Sequence, residues 1–307
     1  MRKGRALKWL GAFIGVMTLA GVTSQVLGQS DAWKQILNNN RILEIQQNGG
    51  VRADTGEVKI DFYGHAAFKI TSPRGIEMMF DPWRNDPSGY WGIWFPEPFP
   101  QPNVDMVLST HAHFDHDAVY RPQSPMVLDR MSGVFQLGDV KITGVADKHT
   151  CVAPGWYKWT NALAEFGAEA CPPNNPGHLD NVIFLVETGG MKVVVWGDNR
   201  PNPSDFVWNA LGDVDIAIIP VDSSQHILSY EESSQIADKL KANIVIPEHY
   251  LTVGASITLT TLGTADEWVD QQPNAERTSG PSVSFTADEV RKTTRKVVYF
   301  SASHMKS

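Results

Sequence analysis

Apolar residues recur at every second position through Val58, Ile60 and Phe62, a period that predicts a strand with one buried face. Ala67 to Ile70 and Ile76 to Phe80 follow after short polar breaks, and three such runs in close order predict a meander. Val104, Met106, Val107 and Leu108 form a denser run, that of a short buried strand. A second group lies at 139–146, 182–187 and 191–196, where Val182-Ile183-Phe184-Leu185-Val186 and Val193-Val194-Val195-Trp196 are rich in β-formers. Gly189-Gly190 between the last two marks a tight hairpin. Helical signals come later. Phe206 to Leu211 predicts one helix, before the strand Ile216 to Ile219. Ser229 with Glu232 makes a capping box that opens an amphipathic run through Ile236 and Leu240, ending before Asn243-Ile244-Val245-Ile246. Two groups of strands with later helices predict an α/β fold of layered sheets flanked by helices, rather than a doubly wound parallel sheet.

Composition changes this picture mainly at the N-terminus. With 307 residues, 42% hydrophobic and 20% charged, the chain has the make-up of a globular enzyme built as one large domain. Arg2, Lys3, Arg5 and Lys8, however, precede an uncharged stretch from Trp9 to Val22, followed by small residues up to Gly28. That order predicts a secretory signal peptide over residues 1–28 and a secreted or periplasmic protein; the stretch is short for a membrane span, and an uncleaved anchor is the alternative. Residues 29–56, with Asn38-Asn39-Asn40 and Gly49-Gly50, form a polar lead-in to a domain over 57–304. Removing residues 1–28 takes away four basic and no acidic side chains, so the formal charge goes from −8 to −12. An acidic surface argues against nucleic acid as the partner. In an oxidising compartment Cys151 and Cys171 can form a disulfide; a metal-bound thiolate at Cys151, two places after His149, is the competing assignment.

The chemistry is concentrated in Ser109-Thr110-His111-Ala112-His113-Phe114-Asp115-His116, directly after the buried run at 104–108. Imidazole and carboxylate suit zinc and its first-row neighbours, and so many ligands so close in sequence cannot all reach one ion. Two adjacent ions follow. His111 and His113, two apart, can share one, while Asp115 and His116 turn toward the second. Other candidates end strands in the same way: His149 after 140–146, Asp198 after Val193 to Gly197, and His249 after Ile244 to Glu248. Each lies just past a run expected to be buried, so all can converge on one rim.

The order H-x-H-x-D-H, then His149, Asp198 and His249, resembles the metallo-β-lactamase superfamily across most of residues 57–300. The resemblance implies a four-layer αββα sandwich. It also implies one metal held by His111, His113 and His149, a second by Asp115, His116 and His249, and Asp198 as a carboxylate bridging both. Gly64-His65-Ala66-Ala67-Phe68 and Asp81-Pro82 match the branch that includes ascorbate-phosphate lactonase-like hydrolases and the phospholipase D acting on N-acylphosphatidylethanolamines. In that branch a Gln-His pair before an acidic helix start lies near the reacting group, so His226 is a candidate substrate or oxyanion contact, or else only a helix-entry residue. His65 either assists the site or pins a turn. The bridging position differs in true β-lactamases, and flavin-linked di-iron members carry an acidic residue where His113 stands; both activities therefore lose ground.

Two such cations would lower the pKa of a shared water and generate hydroxide near neutral pH, with Asp115 orienting it and His226 or Tyr250 steadying the oxyanion. The expected function is a hydrolase with two Zn²⁺, or Mn²⁺ or Fe²⁺, cleaving a small-molecule or lipid-like ester or lactone. The alternatives are a phosphodiesterase of the same fold and a non-catalytic, metal-dependent anion-binding protein. Aromatic segments at Trp83 to Phe99 and Trp156 to Trp159 either wall the substrate or pack on themselves.

Overall fold

The computed structural model describes residues 55–89, 92–150, 179–253, 255, 260–302 and 306. The signal segment, the lead-in up to residue 54, both cysteines, Tyr90, Trp91, the aromatic segment at 156–159, His178 and His304 lie outside them. Two sheets make up the domain, in the mixed α/β arrangement expected. The first holds β1 (Val58–Phe62), β2 (Phe68–Thr71), β3 (Glu77–Phe80), β4 (Met106–Ser109), β5 (Met126–Asp129) and β13 (Ser282–Phe285), in the order β13-β1-β2-β3-β4-β5. The second holds β6 (Gly133–Leu137), β7 (Val140–Asp147), β8 (Asn181–Thr188), β9 (Met191–Val195), β10 (Ile216–Pro220), β11 (Ile244–Glu248), β12 (Ala275–Arg277) and β14 (Lys296–Tyr299). Its order is β12-β14-β11-β10-β9-β8-β7-β6.

β1, β2 and β3 form the predicted antiparallel meander, with Ile60 opposite Ile70 and Phe68 opposite Phe80. The β8–β9 hairpin turns through Gly189 and Gly190, at φ 59° and 73°; two successive left-handed residues are what a two-residue turn matched to the strand twist needs. A Cβ on Gly189 would lie 2.7 Å from Val58 Cγ2, so the turn is also tucked against the first sheet. Every residue of β10 and β11 is buried, because the opposing sheet covers one face and helices the other. Of these, α1 spans Asp205–Leu211 and α2 Tyr230–Lys239. Helix α2 starts with the predicted capping box, Ser229 accepting from the Glu232 amide and Glu232 from the Ser229 amide, and buries Ile236 and Ala237. Two short helices follow, α3 (Asp266–Asp270) and α4 (Ala287–Arg291). Among the described residues no helix is long and apolar enough to cross a membrane.

The inner faces meet in aromatic pairs: Phe80 of β3 with Phe184 of β8 at 5.9 Å, and Phe62 of β1 with Phe300 at 5.3 Å and Tyr250 at 5.5 Å. At the end of the sandwich where the β8–β9 turn lies, a buried polar clamp joins the sheets. Asp139, preceding β7, accepts hydrogen bonds from the Ser72 hydroxyl (2.8 Å) and the Arg74 amide (3.0 Å), both following β2. Of the five strands not anticipated from sequence, β5, β6, β12 and β13 are edge strands, while β14 lies inside the second sheet between β12 and β11. Side chains of β5 and β13 alternate between partial and full exposure, those of β6 are mostly exposed and those of β12 wholly so, which leaves these edges without an apolar alternation.

Replacing Asp139 by Ala leaves the Ser72 hydroxyl and Arg74 amide without their acceptor. We expect a loss of about 1–3 kcal/mol, read as a lower midpoint in urea; an unchanged midpoint would show that the clamp contributes nothing.

Candidate metal centre

β1, β3, β4, β7, β9, β10 and β11 run in the same sense, and the polar segments leaving their C-terminal ends meet at one rim. His65 follows β1, Asp81 follows β3, and His111, His113, Asp115 and His116 follow β4. His149 follows β7, Asp198 follows β9, His226 lies beyond β10, and His249 follows β11. All the sequence-predicted ligands come together here, in two groups. His111, His113, His149 and Asp198 form one; His65, Asp115, His116 and His249 form the other, each group with its ligand atoms within 4.8 Å of one another. Asp198 spans both. Its Oδ2 lies 3.1 Å from His249 Nε2, 3.3 Å from His149 Nε2 and 3.7 Å from His111 Nε2, while Oδ1 is 3.3 Å from His116 Nε2.

These atoms fit cations better than they fit one another. His116 Nε2, His249 Nε2 and Asp198 Oδ1 are buried and make no hydrogen bond of acceptable geometry, though opposite charges lie near. His111 Nε2 faces His113 Nδ1 at 3.1 Å. Burial pushes the His113 pKa down to about 4 and that of His111 well below the usual imidazole value, so both rings are neutral and each keeps one lone pair to offer a cation. Burial alone would raise the carboxylates, yet His116 holds Asp115, and His249 holds Asp198, well below the ordinary range. In the absence of metal the balancing charge sits on protons. Burial opposes a charge on His116, but Asp198, Asp115 and Asp81 outweigh it and raise its pKa to about 9; His249, beside Asp198 and Asp115, is also raised well above the usual value.

The surroundings fix each ring. Asp81 is the central support: Oδ1 accepts from the Thr110 amide (2.7 Å), and Oδ2 accepts from the Thr110 hydroxyl (2.7 Å) and binds His116 Nδ1 (2.9 Å). The Thr110 hydroxyl also lies 3.0 Å from His111 Nδ1. His149 Nδ1 donates to the Thr150 carbonyl at 2.6 Å. Gly197, at φ 58°, packs so closely on Thr110 that a Cβ would come within 2.7 Å of the hydroxyl. Its amide donates to the buried Glu248, whose carboxyl group is driven well above the usual range by burial and by Asp81. Sequence reasoning noted Asp81 only as part of a motif and missed Thr110 and Glu248. An aspartate and a threonine directly after buried strands were the available signals.

His65 joins the second group beside Asp115, its Nε2 lying 3.0 Å from Asp115 Oδ2. His226 stacks on His249 with ring centroids 5.6 Å apart, and burial with the nearby His249 lowers its pKa to about 3. Tyr250 is fully buried, packed between Phe62 and Tyr299, and its hydroxyl has no hydrogen-bond partner; it belongs to the core, not to the site. In the loop after β3, Trp83, Trp94, Phe95 and Phe99 pack on themselves and on Tyr63 and Val107, and Phe114 of the ligand loop rests on Trp94. The described aromatics there support the metal loop rather than lining a pocket.

Residues 59–249 match the family described as the beta-lactamase superfamily domain. The chain is 32% identical over 243 residues to a UPF0173 metal-dependent hydrolase of Anaeromyxobacter sp. (strain K), covering 66% of this chain and 78% of the relative. It is 25% identical over 211 residues to another from Myxococcus xanthus, covering 65% and 73%. Among solved structures it resembles a proposed Zn-dependent hydrolase of the metallo-β-lactamase superfamily from Thermotoga maritima, with a TM-score of 0.56 at 23% identity. That match covers 81% of this chain and all of the other, and shows the shared fold.

Because His116 and His249 hold protons at pH 7 and must lose them to ligate, loading with Zn²⁺ should release about two protons per chain. Calorimetry in buffers of different ionisation enthalpy measures this; a heat independent of buffer would refute it. Apparent affinity should rise with pH through the His116 value of about 9. Asp81→Ala should weaken zinc binding by about 10–100-fold, measured by competition with a chelator.

Proposed function

Because the chain belongs to the metallo-β-lactamase superfamily and is a metal-dependent hydrolase, we propose that it holds two zinc ions and cleaves a carboxylic ester or lactone outside the cytoplasm. The observation that carries the dinuclear assignment is Asp198, whose two oxygens reach the imidazoles of both groups. In this assignment His111, His113 and His149 hold one ion, Asp115, His116 and His249 the other, and Asp198 both. Two ions so bound would supply an acidified water as nucleophile and a counter-charge for the carbonyl oxygen.

The remaining work falls to the protein. Asp115, ionised and tied to His65 through Oδ2, accepts a hydrogen bond from the attacking water and orients it. His226, on the far side of His249, faces the acyl oxygen as charge develops there. Support for an acyl rather than a phosphodiester substrate comes from the arginines flanking the ligand loops. Arg84 is bound by two hydrogen bonds to Asp117, and Arg200 by two to Asp147, so neither charge is available to an anion. The basic start and the uncharged stretch from Trp9 to Val22 support export.

The test uses the chain from Gln29 onward, loaded with Zn²⁺ and offered esters, lactones and phosphodiesters, with bound zinc measured in parallel. We expect two zinc ions per chain and turnover of esters or lactones, and Asp198→Ala should lower both zinc content and kcat, the latter by at least about 100-fold. Preferential phosphodiester cleavage would overturn the substrate assignment; two zinc ions without turnover would leave anion binding as the function.

A further inference from the structure

His226 sits in the middle of a segment that leaves β10 and does not become helical until Tyr230. Such a connection is a poor platform for an imidazole that must be aimed, unless something outside it holds the ring. Asp222 supplies the backbone part. It is buried, its Oδ1 accepts from the His226 amide (2.8 Å), and its Oδ2 accepts from the Ser224 hydroxyl and, across a loop, from the Gly263 amide (3.1 Å). The Ser223 amide donates to the Thr264 carbonyl at 2.9 Å. The segment is therefore laced to the strip 260–264 at two points.

The spacing between the two is set by Gly263. A Cβ there would lie 1.8 Å from Ser223 Oγ and 3.0 Å from Ser223 Cβ, so any larger residue would press on Ser223 and push the strip away. Leu251 donates to the Gly263 carbonyl (2.9 Å), and Leu262 is buried in the aromatic cluster under the ligand loop, which anchors the strip from its other side. Thr261 rides on this strip, and its hydroxyl lies 3.0 Å from His226 Nδ1. Stacking on His249, at 16° between planes, fixes the plane of the His226 ring. The Thr261 contact fixes what stacking cannot, namely which edge of the ring points which way, and the direction of that hydrogen bond decides which nitrogen carries the proton.

We infer that Thr261 is a positioning residue: its hydroxyl donates to His226 Nδ1, which puts the ring proton on Nε2 and makes His226 an N–H donor toward the substrate oxygen. This rests on the assignment of His226 as the oxyanion contact, and the direction of the Thr261 bond is the one that assignment requires. An Nδ1-protonated ring would offer the oxyanion a lone pair and repel it.

The experiment follows the ¹⁵N signals of the His226 ring in the zinc-loaded chain, identified by their loss in His226→Gln, with turnover of p-nitrophenyl acetate and dihydrocoumarin measured alongside. Wild type should show a protonated Nε2 and a bare Nδ1. Thr261→Val should shift both signals and lower kcat by about 10-fold with KM little changed, and Thr261→Ser should restore both. Gly263→Ala, which displaces the strip but keeps the hydroxyl, should shift the same signals. A wild-type ring protonated at Nδ1, or ring signals unmoved by Thr261→Val, would overturn the inference. If the signals move but His226→Gln turns over substrate like wild type, Thr261 still positions the ring, and the oxyanion role of His226 is what falls.

Discussion

Two carboxylates, Asp115 and Asp198, are buried at the centre of this protein and kept ionised there. Removing such charges from water is costly, and the cost is met only where positive charge is held against them in fixed geometry. Most features of the rim can be understood as meeting that demand. Imidazoles arrive from five strand ends, and the rings pack closely at a tilt, His111 against His116 at 4.2 Å and His65 against His249 at the same distance.

The demand is met at the expense of local backbone comfort. His65, Asp81, Gln225 and His249 all adopt positive φ, a region that side chains with a Cβ occupy reluctantly. Asp81 and His249 directly follow buried strands that must stop and aim a polar group at once, while His65 and Gln225 lie three and five residues beyond β1 and β10. What holds them is a short set of hydrogen bonds: His249 donates its amide to the His65 carbonyl, Asp81 to Leu108, and Thr110 to Asp81. Four of the eight non-glycine residues at positive φ among those described thus lie in the segments that build the site.

The ligand set was legible because zinc-type ligands are rare in close succession and because buried strands announce their ends. The meander, the β8–β9 turn and the Ser229 cap were legible for a similar reason, each being fixed by residues near one another in the chain. The edge strands were not, since an exposed strand such as β12 carries no apolar period. Nor were Asp222, Thr261 and Gly263. Their roles arise from approaches across about forty residues, and a threonine or glycine in a polar stretch looks the same whether or not a histidine is leaning on it. The aromatic loop after β3 was legible only as an open alternative, because sequence does not say whether a tryptophan faces outward or, like Trp83 and Trp94, packs inward.

Both ligand groups draw from both sheets. His111 and His113 follow β4 of the first sheet, while His149 and Asp198 follow β7 and β9 of the second; likewise Asp115 and His116 come from the first sheet and His249 from the second. The centre therefore acts as a rivet through the sandwich, and the Asp139 clamp is its counterpart at the other end. A sliding of one sheet over the other by a fraction of an ångström would deform both ligand groups at once. Packing defects deep in the interior, far from any ligand, would then be felt first as a change in the grip on metal, so the centre serves as a gauge of how well the two halves fit.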